Sequence, residues 1–113
     1  MPKVVVIYKL KPGATMEQYK KFSREVDQVI TPKQKVVEKF EVFEVTEFVQ
    51  GAGGIEKKNP PYQVFELIDV KDFGEWIKTT QSAGFKPVGD GWAKVGDAGT
   101  IIVLSGKKIE KTT

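Results

Sequence analysis

Lys3-Val4-Val5-Val6-Ile7-Tyr8-Lys9-Leu10, closed by Lys11-Pro12-Gly13, decides the architecture. In an extended strand successive side chains alternate, so Val4, Val6, Tyr8 and Leu10 point one way and Val5 and Ile7 the other. Both faces are apolar. A strand with one face in water alternates apolar with polar, so this one is expected to be covered on both sides. A chain of 113 residues can lay helices over one face. A second copy of the chain is the candidate cover for the other.

Downstream, Thr15-Met16-Glu17-Gln18 fits a capping box, and Met16, Tyr19, Phe22, Val26, Val29 and Ile30 recur at three- and four-residue spacing. This predicts a helix from residue 15 to about 30, stopped by Thr31-Pro32. Residues 36–49 are rich in β-branched and aromatic side chains. Their alternation slips between Val42 and Phe43, which means either a bulge or a second covered face. Residues 50–61 form a flexible connection. Gly51-Ala52-Gly53-Gly54 within it lacks the Gly-Lys-Ser/Thr ending of a phosphate loop.

Residues 62–70 are a second two-faced strand, with Val64 and Ile68 alternating with Phe65 and Leu67. Asp69 or Asp72 caps a short helix that carries Phe73, Trp76 and Ile77 on one face. Residues 84–96 keep helical spacing at Phe85, Val88, Trp92 and Val95, but Gly89 and Gly91 oppose a regular helix. A loose helical turn and an ordered loop both stay open there. Residues 100–104 are the last strand, and 106–113 a frayed tail. The sum is a single domain, 1–113, of the α+β class. Its order β-α-β-β-α-β is the ferredoxin-like pattern, an antiparallel sheet with helices on one face.

Composition removes several chemistries. There is no Cys, hence no disulfide, thiol nucleophile or cysteine-bound metal, and no His, hence no Ser-His triad or imidazole ligand. Gly89-Asp90-Gly91 lacks calcium-loop spacing, so no metal is expected. The net charge is +3, but Arg24 is the sole arginine among 18 basic residues, and the lysines are scattered. Nucleic acid is therefore not an expected partner. No secretory-signal pattern opens the chain, and no apolar run approaches the roughly 20 residues that span a bilayer. The expectation is a cytoplasmic protein without membrane association.

The strand VVVIYKLKPGAT (residues 4–15) leading into a capped helix, and FELIDVKDFGEWI (residues 65–77) leading into a glycine-broken helical segment, resemble the dimeric α+β barrel superfamily. Antibiotic-biosynthesis monooxygenases, EthD-like proteins, muconolactone isomerases and REDY-like (HapK-like) proteins belong to it. Arg24-Glu25-Val26-Asp27 is similar to the Arg-Glu-x-Asp run of the REDY-like branch. The resemblance implies that two protomers pair their sheets face to face into a barrel. It also implies a cleft between sheet and helices that takes a small molecule, in several relatives a polycyclic or aromatic metabolite. Such relatives work without metal or organic cofactor, as monooxygenases, isomerases or condensation-type enzymes.

Ser23 and Asp27 border the apolar stripe of the first helix, next to Lys20, and are candidate catalytic residues. The bland alternative is a solvated edge with a Lys20–Asp27 or Arg24–Asp27 pair. Arg24, opposite the stripe, is a candidate substrate-binding residue or plain surface. Glu44 and Glu66 both sit between apolar strand neighbours. A buried Glu66 acquires a raised pKa and becomes a candidate catalytic base, or else pairs with Lys9 or Lys39 or across a dimer. Tyr8, Tyr62 and Trp92 are candidate walls of a flat binding site, alongside Tyr19 and Trp76, which serve equally well as core. Two functions follow: a cofactor-independent enzyme or accessory protein acting on a small aromatic metabolite, or a non-catalytic ligand-binding or structural dimer.

Overall fold

The computed structural model describes residues 2–112. Four strands, β1 (Lys3–Tyr8), β2 (Val37–Glu44), β3 (Val64–Val70) and β4 (Ile102–Gly106), form one sheet in the order β2-β3-β1-β4, every neighbour antiparallel. Helices α1 (Met16–Phe22), α2 (Gln28–Ile30), α3 (Phe73–Thr80) and α4 (Lys86–Val95) complete an α+β, ferredoxin-like chain.

The first helix begins as its cap dictates. Thr15 Oγ1 accepts the Gln18 N–H at 3.1 Å, and Gln18 Oε1 accepts the Thr15 N–H at 2.9 Å. Between α1 and α2 the chain takes a π-helical turn over Ser23–Asp27, and a 3-10 turn over Thr31–Lys33 holds Pro32. Asp72, rather than Asp69, caps α3 by accepting the Glu75 N–H at 2.9 Å.

The register fixes the faces. Val6 lies opposite Glu66, Tyr8 opposite Val64 and Val4 opposite Ile68. These alternate residues look toward the helices and are buried with Phe22, Trp76 and Phe85. The slip at Val42 and Phe43 is two half-buried faces, since Val42 pairs with Glu66 and Phe43 with Phe65; the irregularity of β2 lies instead between Val37 and Lys39. Glu44, at the strand end, is exposed and bonded to Lys20 at 3.0 Å.

Residues 84–96 are the main correction to the sequence reading: after a 3-10 turn at Ala83–Phe85, α4 is a regular helix through both glycines. Packing explains it. A Cβ at position 91 would come within 2.7 Å of the Phe22 ring, so glycine lets α4 press against α1. The 50–61 connection also carries order, with reciprocal backbone bonds between Phe48 and Glu56 and Gly51 in the left-handed region at φ 57°. Residues 107–112 have neither strand nor helix and are exposed; Thr113, the end of the expected frayed tail, lies outside the described residues.

The opposite sheet face carries Val5, Ile7, Phe43, Phe65 and Leu67, with Ile102 and Leu104 alongside. Phe43 and Phe65 stack at 4.9 Å. No helix of the described residues covers this face, and Leu104 is 55% exposed.

Candidate functional site

Between the sheet and the helices lies a cleft of about 250 Å³. Val6, Tyr8, Phe40 and Glu66 line it from β1, β2 and β3, and Trp76, Phe85 and Trp92 from the helical side. Asp27 and Thr31 enter it from the π turn and the turn after α2; Ile101, just before β4, and Val103 of β4 bound it. The cleft is apolar apart from the carboxyls of Asp27 and Glu66, the hydroxyls of Tyr8, Thr31 and Thr80, and the indole N–H groups of Trp76 and Trp92.

Glu66 stands there because of strand parity. It shares a face with Val64 and Ile68, both fully buried, so its carboxyl is buried among apolar side chains and meets solvent only through the cleft. Tyr8 is one pleat along on the neighbouring strand, and its hydroxyl donates to Glu66 Oε2 at 2.6 Å. That hydroxyl is also bonded to the hydroxyl of Tyr19. Glu66 Oε1 has no protein partner, and among the described residues no fully buried side-chain polar atom lacks one, so Oε1 opens to the cleft. Trp92 meets Tyr8 edge-on at 5.2 Å and Trp76 meets Phe85 edge-on at 5.6 Å, giving flat aromatic walls.

Asp27 owes its position to the π turn, in which the Gln28 N–H reaches back to the Ser23 carbonyl. The wider turn buries both Ser23 and Asp27 while Arg24 and Glu25 stay exposed. Such single π turns recur at functional sites. Thr31 Oγ1 donates to Asp27 Oδ1 at 2.6 Å.

Burial pushes the Glu66 carboxyl up to about 8, and the charge of Asp27 adds to it, against the Tyr8 hydrogen bond. Burial also raises Asp27, to about 6, with the Thr31 bond opposing. Near pH 7 the cleft therefore presents a protonated Glu66 beside an ionised Asp27. The phenols of Tyr8 and Tyr19 are held far above their ordinary range, by burial first and then by Glu66. Both stay neutral.

Of the residues singled out from the sequence, Tyr8, Glu66, Asp27, Trp92 and Trp76 meet in this cleft. Ser23, Arg24, Tyr62 and Tyr19 do not line it. Ser23 is buried on the far side, accepting the Gln28 amide at 3.0 Å, and Arg24 is exposed; both line a second pocket with Lys20 and Glu44. Tyr62 lies outside the cleft because β3 begins only at Val64, and it stands with Lys9, Pro61 and Thr100. The expected ion pairs are also absent among the described residues: Lys20 bonds Glu44, Lys39 bonds Glu41 at 3.5 Å, and no lysine reaches Asp27 or Glu66. Thr31 was missed, although a Thr four residues after a buried helical Asp is the usual place for such a bond.

Residues 2–109 match the family model described as REDY-like protein HapK. The crystal structure of HapK from Hahella chejuensis is similar, with a TM-score of 0.74 at 17% identity over 100% of this chain and 97% of that one. A dimeric protein of unknown function and ferredoxin-like fold from Bacteroides fragilis gives a TM-score of 0.63 at 14% identity, covering 95% of each chain. SnoaB, a cofactor-independent oxygenase from Streptomyces nogalater, gives 0.65 at 6% identity over 97% of this chain and 94% of that one. At these identities the likeness is one of fold. Among curated proteins none matches the chain.

Proposed function

This chain belongs to the REDY-like HapK family, and from that premise we propose that it is a homodimer that binds one small, flat, unsaturated metabolite in each cleft. Glu66 and Asp27 move protons on that metabolite without metal or organic cofactor. The observation that carries the reading is the placing of two buried carboxyl groups, each with one oxygen that has no protein partner, in a largely apolar cleft walled by indole and phenyl rings. Environments that hold two acids at different protonation states divide acid and base roles between them. Near pH 7 Glu66 donates a proton to the ligand and Asp27 receives one; above about pH 8 Glu66 becomes a base.

The cleft volume lies just below the ~300 Å³ at which small-molecule sites begin, which suits one or two rings rather than a long polycycle. Trp92 and Tyr8 supply its walls. Ser23, Arg24 and Tyr62 are held elsewhere and do not touch the ligand in this reading. SnoaB, described as a cofactor-independent oxygenase, supports a reaction run without a cofactor. The apolar sheet face, together with the dimeric description of the Bacteroides fragilis neighbour, supports pairing of two sheets.

The hydrogen-bonding of Glu66 Oε2 into the Tyr8–Tyr19 pair, which serves the fold without any ligand, favours a second reading, a ligand binder without turnover. Mass spectrometry of small molecules released from the purified protein, followed by assays of Glu66→Gln with the released compound, separates the two. Turnover lost with binding retained supports the enzyme. Binding retained with no turnover in either protein supports the binder. Failure of the protein to retain or bind any planar unsaturated compound contradicts both.

A further inference from the structure

Tyr8 lines the cleft but not the second pocket, and Tyr19 lines the second pocket but not the cleft. Their hydroxyls are bonded to each other, and Tyr8 continues to Glu66 Oε2 at 2.6 Å. A continuous chain of exchangeable hydroxyls thus links the cleft, lined by Tyr8 and Glu66, to a second cavity lined by Tyr19. The second pocket, about 150 Å³, is lined by polar groups of Lys20, Ser23, Arg24, Gln28 and Glu44, where water is well held. The geometry points to a proton relay: Glu66 exchanges its proton with water of the second pocket through Tyr8 and Tyr19 while a ligand fills the cleft.

The need arises from the ligand itself. A flat apolar molecule in the cleft seals Glu66 Oε1 from water, yet an acid that has given up its proton must regain one before the next cycle. In the relay a proton enters at the Tyr19 hydroxyl, Tyr19 passes its own to Tyr8, and Tyr8 passes its own to Glu66 Oε2. Each hydroxyl ends with one proton, and no phenolate is left behind. The strong upward displacement of both phenols agrees with this, since neither can hold the negative charge. The inference rests on Glu66 acting as an acid or base toward the ligand.

The test uses ligand-free protein carrying Gly89→Phe, because position 89 lines the cleft with open space around an added Cβ, so the ring plugs it. Exchange of the Tyr8 hydroxyl proton with water is followed by NMR. Adding Tyr19→Phe keeps the Tyr8–Glu66 bond but cuts the chain, and exchange is expected to slow by roughly a hundredfold or more, on the scale of a lost proton-transfer group. A merely structural Tyr19 would have the opposite effect, because loosened packing speeds exchange. Gln28→Trp, an exposed position at the mouth of the second pocket, closes the exit without touching either tyrosine and is expected to slow exchange too. Unchanged or faster exchange in both variants overturns the relay. That result leaves the ligand assay of Glu66→Gln standing, and failure of that assay leaves the exchange rates as predicted here.

Discussion

Tyr8 and Glu66 are diagonal neighbours on adjacent strands: Tyr8 faces Val64 and Glu66 faces Val6, and the phenol reaches across to Glu66 Oε2 at 2.6 Å. Diagonal pairs on one sheet face are close enough for long side chains to meet. This one joins the fold to the site, since the same parity that builds the core aims a carboxyl into the cleft.

Tyr8→Phe removes the donor and leaves a buried carboxyl with one partner fewer. Because the Tyr8 bond lowers the Glu66 pKa, the variant should hold the Glu66 proton to a still higher pH. Loss of the hydrogen bond should cost about 1–3 kcal/mol, read from urea unfolding near pH 6, where Glu66 is protonated in both folded proteins.

Stability should fall with rising pH. The unfolded chain releases the Glu66 proton near 4.5 and the folded one near 8, so between those values the native state binds more protons. The stabilisation is fully present below 4.5, declines through this window and is gone above about 8. Asp27 adds the same sign between 3.8 and about 6. Glu66→Gln should remove the Glu66 share of the decline between pH 4.5 and 8, on the order of a few kcal/mol, and leave only the Asp27 share below about pH 6, in thermal unfolding followed at stepped pH. An unaltered profile would count against burial of the carboxyl.

Gly91→Ala tests the packing of α4 on α1. Alanine favours a helix by about 1 kcal/mol over glycine, yet its Cβ would fall 2.7 Å from the Phe22 ring. The clash should win, with a net loss of about 1–3 kcal/mol in urea unfolding. Gly89→Ala, with open space around its Cβ, should be neutral or stabilising in the same assay.

Phe65→Lys, together with Leu67→Lys, places charge on the uncovered sheet face and leaves the helix-side core untouched. In sedimentation equilibrium the parent should be a dimer and the double variant a folded monomer, since a charged pair directly within an apolar interface is strongly disfavoured. A parent that stays monomeric at every concentration would remove the paired-sheet reading.

The strand Lys3–Tyr8, the capping box at Thr15 and the two-faced strand at Val64–Val70 were legible because local periodicity and cap chemistry fix them. The burial of Glu66 was legible from its apolar neighbours for the same reason. The π turn at Ser23–Asp27 was not, because an extra residue per turn leaves no mark on apolar spacing. It moved Ser23 out of the cleft while keeping Asp27 in. The helix over Lys86–Val95 was hidden as well, since its glycines answer to Phe22, far away in sequence. Tyr62 failed for a boundary reason, two residues before its strand begins.

Carbon-13 NMR of the protein labelled at glutamate side-chain carboxyls, titrated from pH 5 to 10 and assigned with Glu66→Gln, observes the group on which the proposed chemistry depends. One resonance, absent in the variant, should remain in its protonated position at pH 7 and move only near pH 8. A Glu66 resonance already fully ionised at pH 6 would contradict a buried acid in this cleft, and with it the proton transfer assigned to the site.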